Sequence, residues 1–475
     1  MEGYEEAVHE AVKGGTWIFL SNGVITLSGF LFWLIITRVV GVWSIGVASA
    51  IVSASTIAAT LTSAGLNIAV IREIAAKGFK AFIPSVALAS LMGFLAVAII
   101  IPLCHMLKLQ ELTLVAIALT VAMSVNISLQ TSLIGFEMFK EYFISAFLGS
   151  AAKLAIGVAL GFLGFKALAP LLGYLAYPLA ASSTALALLL PSLANKTFKF
   201  SFENLKSLIK LSLANYPFMF SNQLLTMLSV FLFAYLVGEA FQTGTLYITL
   251  MITLAIAGIP NALLSAALPV GTRRNTDPFS ESFRIGLALA TLAIVAAMSA
   301  SITVLKTINP ELIQGANALK ILLLSIAPLT ALTTTIMKLN KEGKPGKIAL
   351  IGLVRLLTLM ILLPFLARNL GVEGAAISFL FSSVILAPLA LKKNPAIAKP
   401  LTILWSVHAF SAILPHTLAL NEAATTIVAL TIASAIMHLT KTFTANEFYI
   451  VFKTIITALT KQTMKHQHKQ RKPFK

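Results

Sequence analysis

Lys153 and Arg355 are the residues whose type and position could do chemistry, because each interrupts an apolar run otherwise free of charge, Ile144–Phe165 and Ile348–Ala367. A cation at that depth is costly unless it faces a partner or a watery cavity. Two readings stand for the pair. In one, they line a cationic path and hold phosphate, Arg through a bidentate grip and Lys as a point charge. In the other, each caps a backbone carbonyl or snorkels to an interface. Counted from the expected span starts at 348 and 142, Arg355 lies about seven residues in and Lys153 about eleven, so Arg355 reaches an interface more easily.

Four further polar positions matter. Asn22 and Asn222 occupy matched places in SNGVIT (from Ser21) and SNQLLT (from Ser221), and Gln223 adjoins the second. Amides between membrane helices either pack, at about 0.6 kcal/mol each, or line a cavity. Arg38 ends an apolar run on the outer side, where basic residues are scarce, whereas inner-side anchoring accounts for Arg72 and Arg273. Asn126, Gln130 and His408 are assigned to helix packing.

The absences exclude several functions. The chain holds one Asp, Asp277, in a loop, and no Glu well inside an apolar run. Carriers driven by protons or sodium commonly use intramembrane carboxylates. No GxxxxGK[ST] phosphate loop occurs, since Gly343–Lys347 has the wrong spacing. The seven His are scattered without HExxH spacing, and no carboxylate pair offers a glycosyltransferase site. The chain is therefore expected not to be an enzyme, with no catalytic residue, metal or cofactor. The single Cys, Cys104, permits no intramolecular disulfide.

The elements that position these residues are membrane helices. With 58% hydrophobic and 11% charged residues, the 475-residue chain is no soluble enzyme. Its start lacks the basic head and cleavage site of a signal peptide, so the first span is expected to be retained. Spans are expected near 15–37, 44–69, 82–104, 112–135, 142–165, 168–193, 211–237, 244–270, 285–305, 318–337, 348–367, 372–391, 400–419 and 421–440. Fourteen is the expectation and twelve the alternative. With both termini cytoplasmic, 27 of the 35 Lys and Arg fall in or beside cytoplasmic segments, as the positive-inside rule requires. The net charge of +18 is thus a topology signal with some contact to anionic lipid, and no nucleic-acid partner is expected.

The chain also repeats. SAGLNIAVIR (Ser63–Arg72) is answered by SAALPVGTR (Ser265–Arg273), and the Asn22 and Lys153 segments by those of Asn222 and Arg355. Three matches in one order, offset by roughly 200 residues, indicate duplication. The expected architecture is all-α and polytopic, with two pseudo-symmetric six-helix lobes related by an axis along the membrane normal. The boundaries are 1–193 for the N-terminal lobe, 194–210 for a cytoplasmic connector and 211–391 for the C-terminal lobe. Two extra spans fill 392–440, and 441–475 forms an amphipathic helix (Asn446–Lys461) with a basic tail.

Several motifs carry a family resemblance: Thr37–Gly41 through Gly46, Ala64–Leu66 with Arg72–Glu73, Tyr216–Pro217, and Leu370–Ala376. In these the chain resembles polysaccharide flippases of the multidrug/oligosaccharidyl-lipid/polysaccharide exporter superfamily. The resemblance implies two lobes of twelve to fourteen helices and a multi-pass plasma-membrane carrier. Such a carrier moves polyprenyl-(pyro)phosphate-linked oligosaccharide outward by alternating access. Its cavity in relatives is often cationic, which fits Lys153 and Arg355, with Arg38, Asn22, Asn222 and Gln223 as further cavity candidates. The expected partners are the anionic lipid-linked sugar, membrane lipids and the glycosyltransferases or polymerases of the same pathway. The rival readings are a multidrug or cation exporter of the same superfamily, which would want an acidic cavity, and a membrane-embedded sugar transferase.

Overall fold

A computed structural model describes residues 2–193, 200–274, 277–342, 344–417, 421–444 and 447. Among them the chain is helical, without a strand, as hydrocarbon demands of a backbone that must satisfy its own hydrogen bonds. The first half comprises α1 (Glu2–Ser63), α2 (Leu66–Lys77), α3 (Phe79–Met106), α4 (Thr113–Gly135), α5 (Phe139–Phe162) and α6 (Leu168–Leu193). There follow α7 (Phe202–Val237), α8 (Ala240–Arg274), α9 (Phe279–Ser299), α10 (Ser301–Ile308), α11 (Ala316–Leu324) and α12 (Ile326–Lys341). The chain closes with α13 (Pro345–Val384), α14 (Ala387–Lys393), α15 (Ala398–Thr417) and α16 (Glu422–Leu439). The expected amphipathic helix at 446–461 lies outside the described residues, apart from Glu447.

Eleven apolar stretches among the described residues are long enough to cross a bilayer. Fourteen is the expectation from sequence, and the difference lies in three places. Leu20–Ser63 and Gly346–Lys393 run for 44 and 48 residues, whereas one crossing needs about 20. Each breaks at a glycine, Gly41 (φ 80°) in α1 and Gly371 (φ 56°) in α13, a backbone region that favours residues without a Cβ. The third place is α7, whose shorter apolar stretch is Leu224–Val237.

Small residues bring the first-half helices close. A Cβ on Gly157 of α5 would lie 2.4 Å from the Phe32 ring, and one on Gly173 of α6 would lie 2.7 Å from the Gly157 Cα. Without a hydrophobic drive between helices in lipid, such close approach supplies the packing energy. Gln130 of α4 adds a polar tie: its amide nitrogen reaches the Ser145 hydroxyl of α5 and, at 3.1 Å, the Ala181 carbonyl of α6. Ser145 also donates to the Ala181 carbonyl, at 3.2 Å, so Gln130→Leu should cost only the net worth of a hydrogen bond, about 0.5–1.5 kcal/mol, as read by thermal unfolding in detergent.

Residues 398–439 pack on α9. Val295, Val407, Leu414, Ala429 and Ala433 form a separate buried cluster, and the His408 ring nitrogen pairs with Thr291 at 2.9 Å. Beyond α16, Arg284 is gripped by Glu281 and Glu447 and donates to the Thr442 carbonyl at 2.6 Å. The Arg284 guanidinium, with help from Thr444, holds the Glu447 carboxyl at about 2, well below the usual carboxylate range. A depressed carboxylate adds stability above its unfolded value, near 4.5, and loses it as pH falls towards 2. Thermal stability should fall through that window, and Glu447→Gln should flatten part of the fall.

Candidate functional site

The site begins with a stripe on α5. Gly149, Lys153, Gly157 and Gly161 follow one another at four-residue spacing and are all buried, so they share one helix face. The glycines press that face against α1 and α6, which places the Lys153 side chain among protein groups and away from lipid. Only 4% of Lys153 is exposed. Its Nζ lies 3.5 Å from the Ser28 hydroxyl, 5.4 Å from the Tyr177 ring centre and 5.9 Å from that of Phe32. Gly29 adjoins the ammonium, and a Cβ there would be in ordinary contact with it at 3.7 Å.

Ring faces attract a cation, but among the described residues Lys153 makes no ion pair. A buried charge compensated this weakly is expensive for the fold alone, and it is the arrangement expected of a group that waits for an anion.

Lys153 opens onto a cavity of about 460 Å³. Its wall comes from α1, α4, α5 and α6 of the first half, with Met227 of α7 and Tyr247, Met251 and Leu254 of α8 completing it. Among the described lining residues none is a carboxylate and Lys153 is the one charged group. A polar stripe on the second rod of α1 (Thr56, Thr60 and Ser63), followed by Asn67 at the start of α2, runs along one side. Tyr174, Tyr177 and Trp33 supply aromatic surface. Thr26 is exposed although it lines the cavity, so the mouth lies towards the start of α1.

The opposite end is sealed between the halves. Trp33 meets Tyr247 edge-on at 4.7 Å between ring centres. Beyond it α1 and α8 touch backbone to backbone: a Cβ on Gly46 would fall 1.6 Å from the Ala240 carbonyl oxygen, and one on Gly244 would fall 2.3 Å from that of Val42. Nearer the mouth, Tyr216 and Ser212 of α7 donate to the Leu61 and Ala64 carbonyls at 2.8 and 3.1 Å.

The structure separates the other candidates. Arg355 is also only 4% exposed, but it is not among the cavity residues. It contacts Ser383 at 3.4 Å, and its Nε has no hydrogen-bond partner. Lys153 and Arg355 are therefore not brought together in this conformation. Arg38 caps a helix: it donates to the Thr307 carbonyl and, at 3.2 Å, to that of Ile308, the last residues of α10. There its charge meets the negative end of the helix dipole and ties α1 to the second half. Asn22 is exposed one turn before Thr26, at the mouth. The side chains of Asn222 and Gln223 lie outside the described residues.

Asn126, assigned to packing from sequence, is on the cavity wall, where its carbonyl oxygen accepts from Ser182 at 3.1 Å. Sequence reasoning also passed over the aromatic wall and the α1 stripe. The stripe carried a usable signal, because positions 56, 60 and 63 repeat at helical spacing. The tyrosines did not, since nothing local says that α6 faces a hollow.

Residues 11–273 match the model of a family described as polysaccharide biosynthesis protein. Among solved structures, the lipid II flippase MurJ in an inward closed conformation superposes with a TM-score of 0.66 at 14% identity, covering 89% of this chain and 98% of that one. An inward-facing multidrug resistance MATE family transporter of the MOP superfamily gives 0.61 at 17% identity, covering 79% and 95%. A MOP superfamily transporter from Pyrococcus furiosus, described as having a binding pocket of reverse polarity, gives 0.50 at 16% identity, covering 82% and 96%. At these identities the likeness is one of fold. No curated protein matches the chain.

Proposed function

Since the chain belongs to the polysaccharide biosynthesis protein family, as a multi-pass membrane protein of MOP-type fold, we propose that it is a flippase for lipid-linked oligosaccharide. The headgroup enters the cavity from the cytoplasmic leaflet while the lipid tail stays in the bilayer, and rocking of the two halves delivers it to the outer leaflet. The observation that carries this reading is Lys153, a buried ammonium without a carboxylate, opening onto a cavity with no acidic lining residue. Lys153 meets the phosphate, and Asn22 stands at the entrance. Arg355 and Arg38 are not among the residues that line this cavity.

The same cavity is poorly matched to a cationic drug, which Lys153 would repel. The protein resides in the plasma membrane with both termini in the cytoplasm, where most of its Lys and Arg lie. Glycosyltransferases of the same pathway make its cargo. Moving one net negative charge out of an inside-negative cell gains about 2.3 kcal/mol per 100 mV, so the membrane potential supplies part of the drive.

The test is reconstitution of the full chain in liposomes with a fluorescent polyprenyl-phosphate-linked sugar. Leaflet exchange dependent on the protein is the expected result. Export of a cationic dye without movement of the sugar lipid, or transfer of the sugar to a new acceptor, would overturn the proposal.

A further inference from the structure

The cavity is polar in a directional way. At one place it offers a cation, and along α1 it offers oxygens whose protons are already engaged. The Thr56 hydroxyl donates to the Val52 carbonyl at 2.8 Å, and the Ser63 hydroxyl to that of Ala59 at 2.5 Å. A hydroxyl bonded in this way keeps its lone pairs for others and acts as an acceptor. A ligand group that meets Thr56 and Ser63 has to donate, as the hydroxyls of a sugar do.

A second phosphate has no protons to donate at neutral pH. Placed beside the first, it would set negative oxygens against acceptor oxygens and against aromatic faces that are themselves negative. Charge balance points the same way. One phosphodiester neutralises Lys153, whereas a diphosphate diester carries one more negative charge, and among the described lining residues no second cation answers it. An unanswered charge in a largely buried site is unfavourable.

Resting on the transport reading above, we infer that the site is matched to a lipid bearing a sugar through a single phosphodiester, in preference to a diphosphate-linked one. The phosphate meets Lys153, the first sugar lies along Thr56 and Ser63, and further sugars pass Thr26 into the mouth. The volume of about 460 Å³, in the lower half of the usual range of about 300–1,000 Å³, suits a phosphate with a short glycan. Phosphatidylglycerol shares the phosphodiester but presents only a glycerol, so it separates recognition of phosphate from recognition of sugar.

The experiment uses the full chain in liposomes with three fluorescent lipids: a polyprenyl monophosphate sugar, the diphosphate of the same sugar, and phosphatidylglycerol. The monophosphate sugar should cross at least about tenfold faster than either of the others, a preference of about 1.4 kcal/mol. Thr26→Lys, which adds a cation at an exposed wall position, should raise the diphosphate rate. Thr56→Val, which removes an acceptor at nearly constant shape, should slow the monophosphate sugar and leave phosphatidylglycerol unchanged. A diphosphate that crosses as fast as the monophosphate overturns the single-phosphate assignment and leaves the flippase reading standing. Phosphatidylglycerol crossing as fast as the sugar lipid overturns the sugar half of the assignment. Failure of all three lipids to cross brings down the transport reading and this inference with it.

Discussion

Lys153→Gln should abolish transport of the sugar lipid while leaving the folded protein as stable as before, or more so. Removing one partner of a buried charge pair costs about 2–5 kcal/mol, which is at least about thirtyfold in rate or affinity. In the empty protein that partner is absent. The ammonium has one hydroxyl contact at 3.5 Å and two ring faces, so its removal relieves a desolvated charge. A structural lysine would behave in the opposite way, with melting temperature and activity falling together. Paired measurements of thermal unfolding and leaflet exchange separate the two, and a Lys153→Gln protein that transports normally would refute the assignment. Lys153→Arg, which restores the charge in a bulkier form, should recover part of the activity.

Gly46→Ala should have the largest effect among the glycines. Its new Cβ would meet the Ala240 carbonyl oxygen at 1.6 Å, and a backbone atom cannot swing aside as a flexible side chain can. The α1–α8 contact has to open, at an overpacking cost of about 1–3 kcal/mol or more. Gly258→Ala on α8 is the matching control, because nothing lies within 4 Å of its new methyl group. There the gain in helix propensity, up to about 1 kcal/mol, should leave stability unchanged or improved. Equal melting temperatures for the two alanine variants would show that α1 and α8 do not approach as described.

Much of the fold was legible because hydrocarbon leaves a chain few options. Expected spans at 168–193, 400–419 and 421–440 correspond to Leu168–Leu193, Ala398–Thr417 and Glu422–Leu439. Continuous apolar runs between polar turns admit only helices of that length. Discrepancies arise where a helix breaks inside an apolar run. The expected span at 318–337 is divided at Ser325 between α11 and α12, and that at 285–305 is divided at Ala300 between α9 and α10. A composition window cannot register a local change of backbone direction.

The candidate site was only half legible. A lone lysine in an apolar run marks itself, because its cost is local and computable from its neighbours in sequence. The same reasoning marks Arg355 equally, and the two separate only in three dimensions. Lys153 lies on a glycine stripe that carries it to a cavity wall, while Arg355 is outside that lining and meets Ser383. Arg38 likewise stood out by position, and what it reaches is the end of a helix some 270 residues away. By itself, then, the amino-acid order determined that this is a many-helix membrane protein with deep cations and no deep acids, because solvation costs belong to each residue singly. Which cation meets the hollow, and what surrounds it, was decided by tertiary packing, because a cavity belongs to several helices at once.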